Sequence, residues 1–195
     1  MFIPTPQQTP EIVAMYENNA KGQGFVMNFA RAWAWRPDVF EGFLALRAQL
    51  AAQSSLPKRE QAVMVCAMAS TLGDAYCSLA WGKTLAGEVG AEAAAAVIKG
   101  IADGSLSARD RALAEWARKI TDDPNGTNQS DVDQLRAAGL SDKEVFEATV
   151  FVAFRLAFST VNDSLGVVPD EKLVATVPAP VRAAVDYGRQ PVPAA

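Results

Sequence analysis

Residues 141–166, SDKEVFEATVFVAFRLAFSTVNDSLG, form a segment with both helix ends written into it. Ser141 followed three residues later by Glu144 is a capping box, in which each side chain satisfies a free backbone amide of the other. Gly166 supplies the stop, since glycine readily takes the left-handed conformation that closes a helix. Between them lies the most hydrophobic helix of the chain, over about 145–165. Arg155 is the one charge between Ala148 and Val161. A guanidinium in such surroundings needs a carboxylate or backbone carbonyls, because an unpaired buried charge is very costly.

Working outward, apolar residues recur at helical spacing almost everywhere. Pro10 opens a helix over about 10–20, which Gly22 and Gly24 punctuate. A second apolar stretch, 25–35, stops before Pro37. The stretch 38–52 reads as a third helix, with Val39, Phe43, Leu46 and Leu50 on one face. Ser55-Leu56-Pro57 is a break, and Pro57 begins a long helix that ends near Leu72-Gly73. Asp74 is placed as the N-cap of the next helix, to about 86. Further helices are expected over 91–101, 107–120 and 131–138, with a loop at 122–126. The tail after Val168 is rich in proline and holds one weak helix at 181–187. No alternating run argues for a sheet. The fold class is all-α.

Composition narrows the chemistry. The chain has 195 residues, a formal net charge of -4 and no histidine. The missing imidazole removes histidine-based triads, the zinc motifs that need it and the usual base near neutral pH. No metal or cofactor is expected. Lys and Arg are scattered, which argues against a nucleic-acid partner. The two cysteines cannot make a disulfide framework, in agreement with a reducing compartment. No stretch is long and apolar enough for a bilayer, and Met1-Phe2-Ile3-Pro4-Thr5-Pro6 does not read as a signal peptide. A cytoplasmic location is expected.

Five segments in order carry a resemblance. They are Gly24-Phe25-Val26-Met27-Asn28-Phe29, Arg36-Pro37 with 40–46, Leu56-Pro57-Lys58-Arg59-Glu60, the stretch 135–141, and the stretch 161–167. Together they resemble the peroxidase-related branch of the AhpD-like (carboxymuconolactone decarboxylase) family. The resemblance covers roughly 20–170. It implies an AhpD-like helical bundle preceded by an N-terminal helix (1–19) and followed by a proline-rich tail (171–195). It also implies a homo-oligomer, from dimer to hexamer, and a small-molecule substrate.

Redox members of that family carry Cys-x-x-Cys at a helix start, a histidine four residues after the second cysteine, and a glutamate on the preceding helix. Asp74-Ala75-Tyr76-Cys77 aligns with the Cys-x-x-Cys. Asp74 then replaces the first cysteine, Trp81 the histidine, and Ala62 the glutamate. Only Cys77 survives.

The altered site has two readings at each position. The helix dipole favours a Cys77 thiolate, whereas Asp74 takes the same amides and its charge disfavours one. Alternatively Asp74 is a plain cap and Cys77 a small buried hydrophobe. Tyr76 and Trp81 are placed as pocket walls, with a core role for Trp81 as the alternative. Cys66, in a run of Ala, Met and Val, reads as a buried structural thiol, with a regulatory pair with Cys77 across the one loop between their helices as the alternative. The resemblance puts Arg155 near the redox helix, where Asp74 is its expected partner; an Arg capping carbonyls at a subunit interface is the alternative. Three functions follow from these readings. The first is a small-molecule enzyme with a non-redox or single-thiol site around Asp74, Cys77 and Arg155, in which Asp74 is the acid–base residue and Arg155 holds a carboxylate or Asp74 itself. The second is a single-cysteine thiol peroxidase resolved by an external thiol. The third is a catalytically silent scaffold.

Overall fold

All the residues from Ala62 to Ala69 have no exposed surface, so the helix that carries them is apolar on every face and must be surrounded. The structure, a computed structural model, describes residues 1–191. Among these there are α-helices, one short 3-10 turn and no strand. The surrounded helix is α4 (Lys58–Leu72), the fourth after α1 (Pro10–Gln23), α2 (Asn28–Trp33) and α3 (Pro37–Ala52). It is enclosed by α5 (Ala75–Val89), α6 (Ala91–Lys99), α7 (Ala108–Asp122) and, beyond α8 (Gln129–Ala137), by α9 (Asp142–Ser164). The three N-terminal helices pack against one another and, through α3, on α9. Two short helices follow: α10 (Glu171–Val174) rests on α5, and α11 (Ala179–Ala184) packs on α6 and α5.

The helix ends hold this arrangement together. Ser141 and Glu144 form the expected box at the start of α9, and Ser107 and Asp110 form another at α7. Arg109 donates to Glu60 of α4 at 2.6 Å, to Glu144 of α9 and to the Gly139 carbonyl. Those bonds hold the Glu144 carboxyl down at about 2, with the Arg109 bond as the largest cause. Arg59 grips the buried Asp110 with two nitrogens. Thus the N-terminal ends of α4, α7 and α9 are tied by two arginines, each bound to carboxylates that are themselves buried or part-buried.

Three expectations are corrected. The helix expected over 25–35 is only α2, because Asn19 accepts the Met27 amide and Asp170 the Asn28 amide, which keeps the approach extended. The 122–126 loop contains a 3-10 turn at Pro124–Gly126. The weak tail helix is α11 and ends at Ala184, while α10 has no counterpart in the sequence reading. Residues 192–195 of the expected tail lie outside the described residues.

Gly82 on α5 is where α11 comes closest. A Cβ there would stand 2.5 Å from Val181 Cγ1 and 2.9 Å from Ile98 Cδ1, and Val181 is fully buried. Alanine would gain about 1 kcal/mol of helix propensity, but overpacking costs about 1–3 kcal/mol and the valine cannot swing away. Gly82→Ala is expected to lower stability by up to about 2 kcal/mol net, read as a lower urea midpoint with unchanged slope.

Candidate functional site

The turn from α4 into α5 builds the site. Gly73 closes α4 in the left-handed conformation, and Asp74 then caps α5, with Oδ1 accepting the Cys77 amide at 2.8 Å. Asp74 is 1% exposed and its Oδ2 has no partner. The C-terminal segment lies against this turn: a Cβ on Gly188 would strike the Gly73 carbonyl oxygen, and Tyr187 donates to Ser78 Oγ at 2.8 Å.

Cys77 sits in the first turn of α5, 4% exposed, and its Sγ accepts from Ser159 of α9 at 3.4 Å. Burial, then the Asp74 charge, push the thiol well above its ordinary range, while Ser159 and Arg155 oppose them. At neutral pH it is a thiol. Cys66 is fully buried in a separate apolar cluster and is also pushed up, chiefly by burial. Both cysteines are free.

A cavity of about 620 Å3 opens in front of Cys77, with Tyr76, Trp81, Phe29, Phe158, Arg47 and Arg155 among its walls. Tyr76 gives its hydroxyl to Asp170 in a very short bond, which latches the segment after α9 onto α5. Phe158 stacks on Trp33 and Phe43, with centroids 5.7 and 5.8 Å apart. Arg155 lies flat over Trp81, 4.2 Å from the ring centroid, and near Phe151.

Of the residues singled out from sequence, Cys77, Tyr76, Trp81 and Arg155 share this cavity. Asp74 stands behind Cys77 and does not line it. The expected Asp74–Arg155 ion pair is absent. Asp74 is turned to the amides of its own helix, whereas Arg155 is stacked on Trp81, and Cys77 feels both charges. Arg155 makes no bond to a carbonyl either, and its Nε has no partner.

Arg47 and Ser159 were not foreseen. Ser159 and Asn162 follow Arg155 at four- and seven-residue spacing, a polar stripe down one face of α9 that was visible in the sequence. Arg47 follows Phe43 by four residues, so it shares the apolar face of α3, and it lies over the Phe43 and Phe158 rings. Asp163, half-buried on α9, was also missed; burial, then the charge of Asp74, raise it to about 7.

Two solved structures overlay this chain with a TM-score of 0.79. One is an alkylhydroperoxidase AhpD core, an uncharacterized peroxidase-related protein from Ralstonia eutropha JMP134. It is 24% identical, over 89% of this chain and 94% of that one. The other is an uncharacterized peroxidase-related protein from Silicibacter sp. TM1040, 20% identical, over 89% and 93%. The chain has the AhpD-like fold. The debrominase Bmp8 shares this fold: a cysteine-to-alanine variant in complex with 2,3,4-tribromopyrrole overlays with a TM-score of 0.71 at 17% identity, over 94% and 96%. No family model and no curated protein matches the sequence. On this AhpD-like fold Cys77 is the only thiol that meets a cavity among those described.

Two outcomes follow from the electrostatics. Asp74→Asn keeps the cap but removes the negative charge, so the pH midpoint of Cys77 alkylation is expected to fall, giving about tenfold more thiolate at a given pH. An unchanged midpoint would remove Asp74 from the account. Asp163 has a folded pKa above its unfolded value, so the stability it contributes is complete below about pH 4 and is lost as pH rises through about 7. Asp163→Asn is therefore expected to be the more stable protein at pH 8, by about 2 kcal/mol after discounting for solvent screening. The difference should shrink on acidification when unfolding is followed from pH 8 to pH 5.

Proposed function

We propose that this chain is a single-thiol enzyme acting on a small flat organic molecule, with Cys77 as the nucleophile and Asp74 as the acceptor of its proton. The observation that carries this reading is a buried thiol in front of an unpartnered carboxylate oxygen, facing an aromatic cavity of about 620 Å3. A group so enclosed meets only what enters the cavity. The thiol is protonated at rest, which suits a nucleophile activated on demand by a neighbouring base. It suits a peroxidase poorly, since peroxide reduction draws on a standing thiolate. Cys66 takes no part in this chemistry, since that thiol is buried in a cluster apart from Cys77.

The likeness to a debrominase supports a ring-bound halogen as the atom attacked. Sγ bonds to the halogen as Asp74 takes the thiol proton. The carbon–halogen bond breaks, and the ring carbon keeps the electron pair and takes a proton from water. An external thiol then attacks the Cys77 sulfur, forming a mixed disulfide and releasing halide. A second external thiol yields its own disulfide, and Asp74 returns the proton to Cys77. The sum is one halogenated ring and two thiols giving the dehalogenated ring, one disulfide and hydrogen halide.

In a Cys66→Ala background with excess dithiothreitol, halide release from brominated pyrroles, phenols and benzoates is the measurement. Turnover is expected, and Cys77→Ser should lower it at least about a thousandfold, in line with loss of a nucleophile. Cys77-dependent reduction of an organic hydroperoxide without halide release would make the protein a single-cysteine peroxidase. Inertness toward both, with a thiol closed to alkylation, would leave a silent scaffold.

A further inference from the structure

Two guanidiniums meet the Cys77 cavity with no carboxylate to neutralise them. Arg155 is 6% exposed, makes no hydrogen bond and leaves its Nε unpartnered. Arg47, half-buried on α3, has neither a hydrogen bond nor an ion pair among the described residues; its contacts are the faces of Phe43 and Phe158, at 5.8 and 5.6 Å. The two repel each other, so their proximity is unfavourable as it stands. Both also line an adjoining cavity of about 390 Å3, which places them in a wall shared by two open spaces.

The other charges at the cavity are already engaged. Lys58 faces Glu88 at 3.9 Å, and Lys83 donates to Thr176 at 2.9 Å. Among the described residues no carboxylate pairs with either arginine. Two like charges, one buried and one half-buried, without a counter-ion are costly in an empty site and favourable in one that receives an anion.

We propose that Arg47 and Arg155 bind the carboxylate of the substrate, so that the substrate class is a flat aromatic monocarboxylate. The inference rests on the Cys77 cavity being the substrate site. Guanidinium forks match the planar geometry of a carboxylate, and a single negative charge suits two cations whose remaining neighbours are aromatic faces. The ring of the ligand lies against the aromatic wall that Phe29 and Phe158 supply, with its substituents within reach of Cys77. Arg47 and Arg155 are positioning residues: they hold the anion while Sγ meets the ring.

The test is calorimetric binding of benzoate, benzamide and cyclohexanecarboxylate to the Cys77→Ala protein, which cannot turn anything over. Benzoate is expected to bind at least about tenfold tighter than benzamide, the scale of a charge-assisted bond, and more tightly than cyclohexanecarboxylate. Arg47→Gln should weaken benzoate about tenfold or more and leave benzamide unchanged. Arg155→Lys keeps the charge against Trp81 and should weaken benzoate while the circular dichroism spectrum stays native. Equal affinities for benzoate and benzamide, or an Arg47→Gln protein that binds benzoate as well as its parent, would overturn the anion site. Benzoate binding without any Cys77-dependent halide release would sink the dehalogenation reading and leave the anion site standing. Release from bromopyrroles with no benzoate affinity would do the reverse.

Discussion

The enclosure of α4 is the constraint on which the other elements depend. A helix with no polar face cannot end at the surface of the bundle on any side, so its neighbours must wrap it fully, and the burial of its side chains is the main favourable term available to a chain of this size. Its N-terminal end is the exception. There Glu60 and Arg59 emerge and are taken up by Arg109 and Asp110 of α7. The other end must turn at once into α5, and Gly73 permits that turn. Cys77 is therefore buried because it follows a buried helix by one tight turn, and it reaches open space only where α9 and α3 stand back from α5.

Charge around the thiol is arranged front to back. The negative group, Asp74, is behind it and sealed, whereas the positive groups, Arg47 and Arg155, are in front and face the cavity. In a low-dielectric interior such an arrangement has two consequences. It keeps the proton on sulfur while the cavity is empty, because Asp74 and burial act together. It also creates a positive potential at the place a ligand would occupy. Aromatic faces take the role that carboxylates usually play for buried arginines. A cation over Trp81 is stabilised by about 2 kcal/mol when desolvated, less than an ion pair would supply, so the site retains affinity for an anion.

Local signals made most of the fold legible. Ser141 with Glu144, Ser107 with Asp110, Asp74, Gly73 and Gly166 each mark a helix end by a rule that needs only a few neighbouring residues. The reading failed where the deciding partner was distant. Met27 and Asn28 belong to a helical pattern, yet their amides are claimed by Asn19 and by Asp170, 142 residues on from Asn28. The site divides the same way. Cys77, Tyr76 and Trp81 could be reached through the family resemblance, and Arg155 as the lone charge of an apolar run. Arg47 could not, because periodicity shows that α3 has an apolar face without showing that this face meets α9. The Asp74–Arg155 pair was expected from the family resemblance, which put the two helices side by side. Direction decided against it, since a capping carboxylate points along its own helix and a stacked guanidinium points along a ring.

An aspartate at the position where the resemblance expects the first cysteine of a dithiol changes more than the redox count. A cysteine at a helix N-cap leaves the free amides to stabilise a thiolate three residues on. An aspartate there accepts the Cys77 amide itself, so the positive end of the helix is spent on the carboxylate and the sulfur loses that stabilisation. The same carboxylate keeps one oxygen free, and that oxygen is buried beside the thiol. On the proposed reading, ionisation of the sulfur is coupled to proton transfer to that oxygen. Two arginines held against aromatic faces complete that logic. They leave a pocket whose positive field is satisfied only when a ligand brings the negative charge in with it.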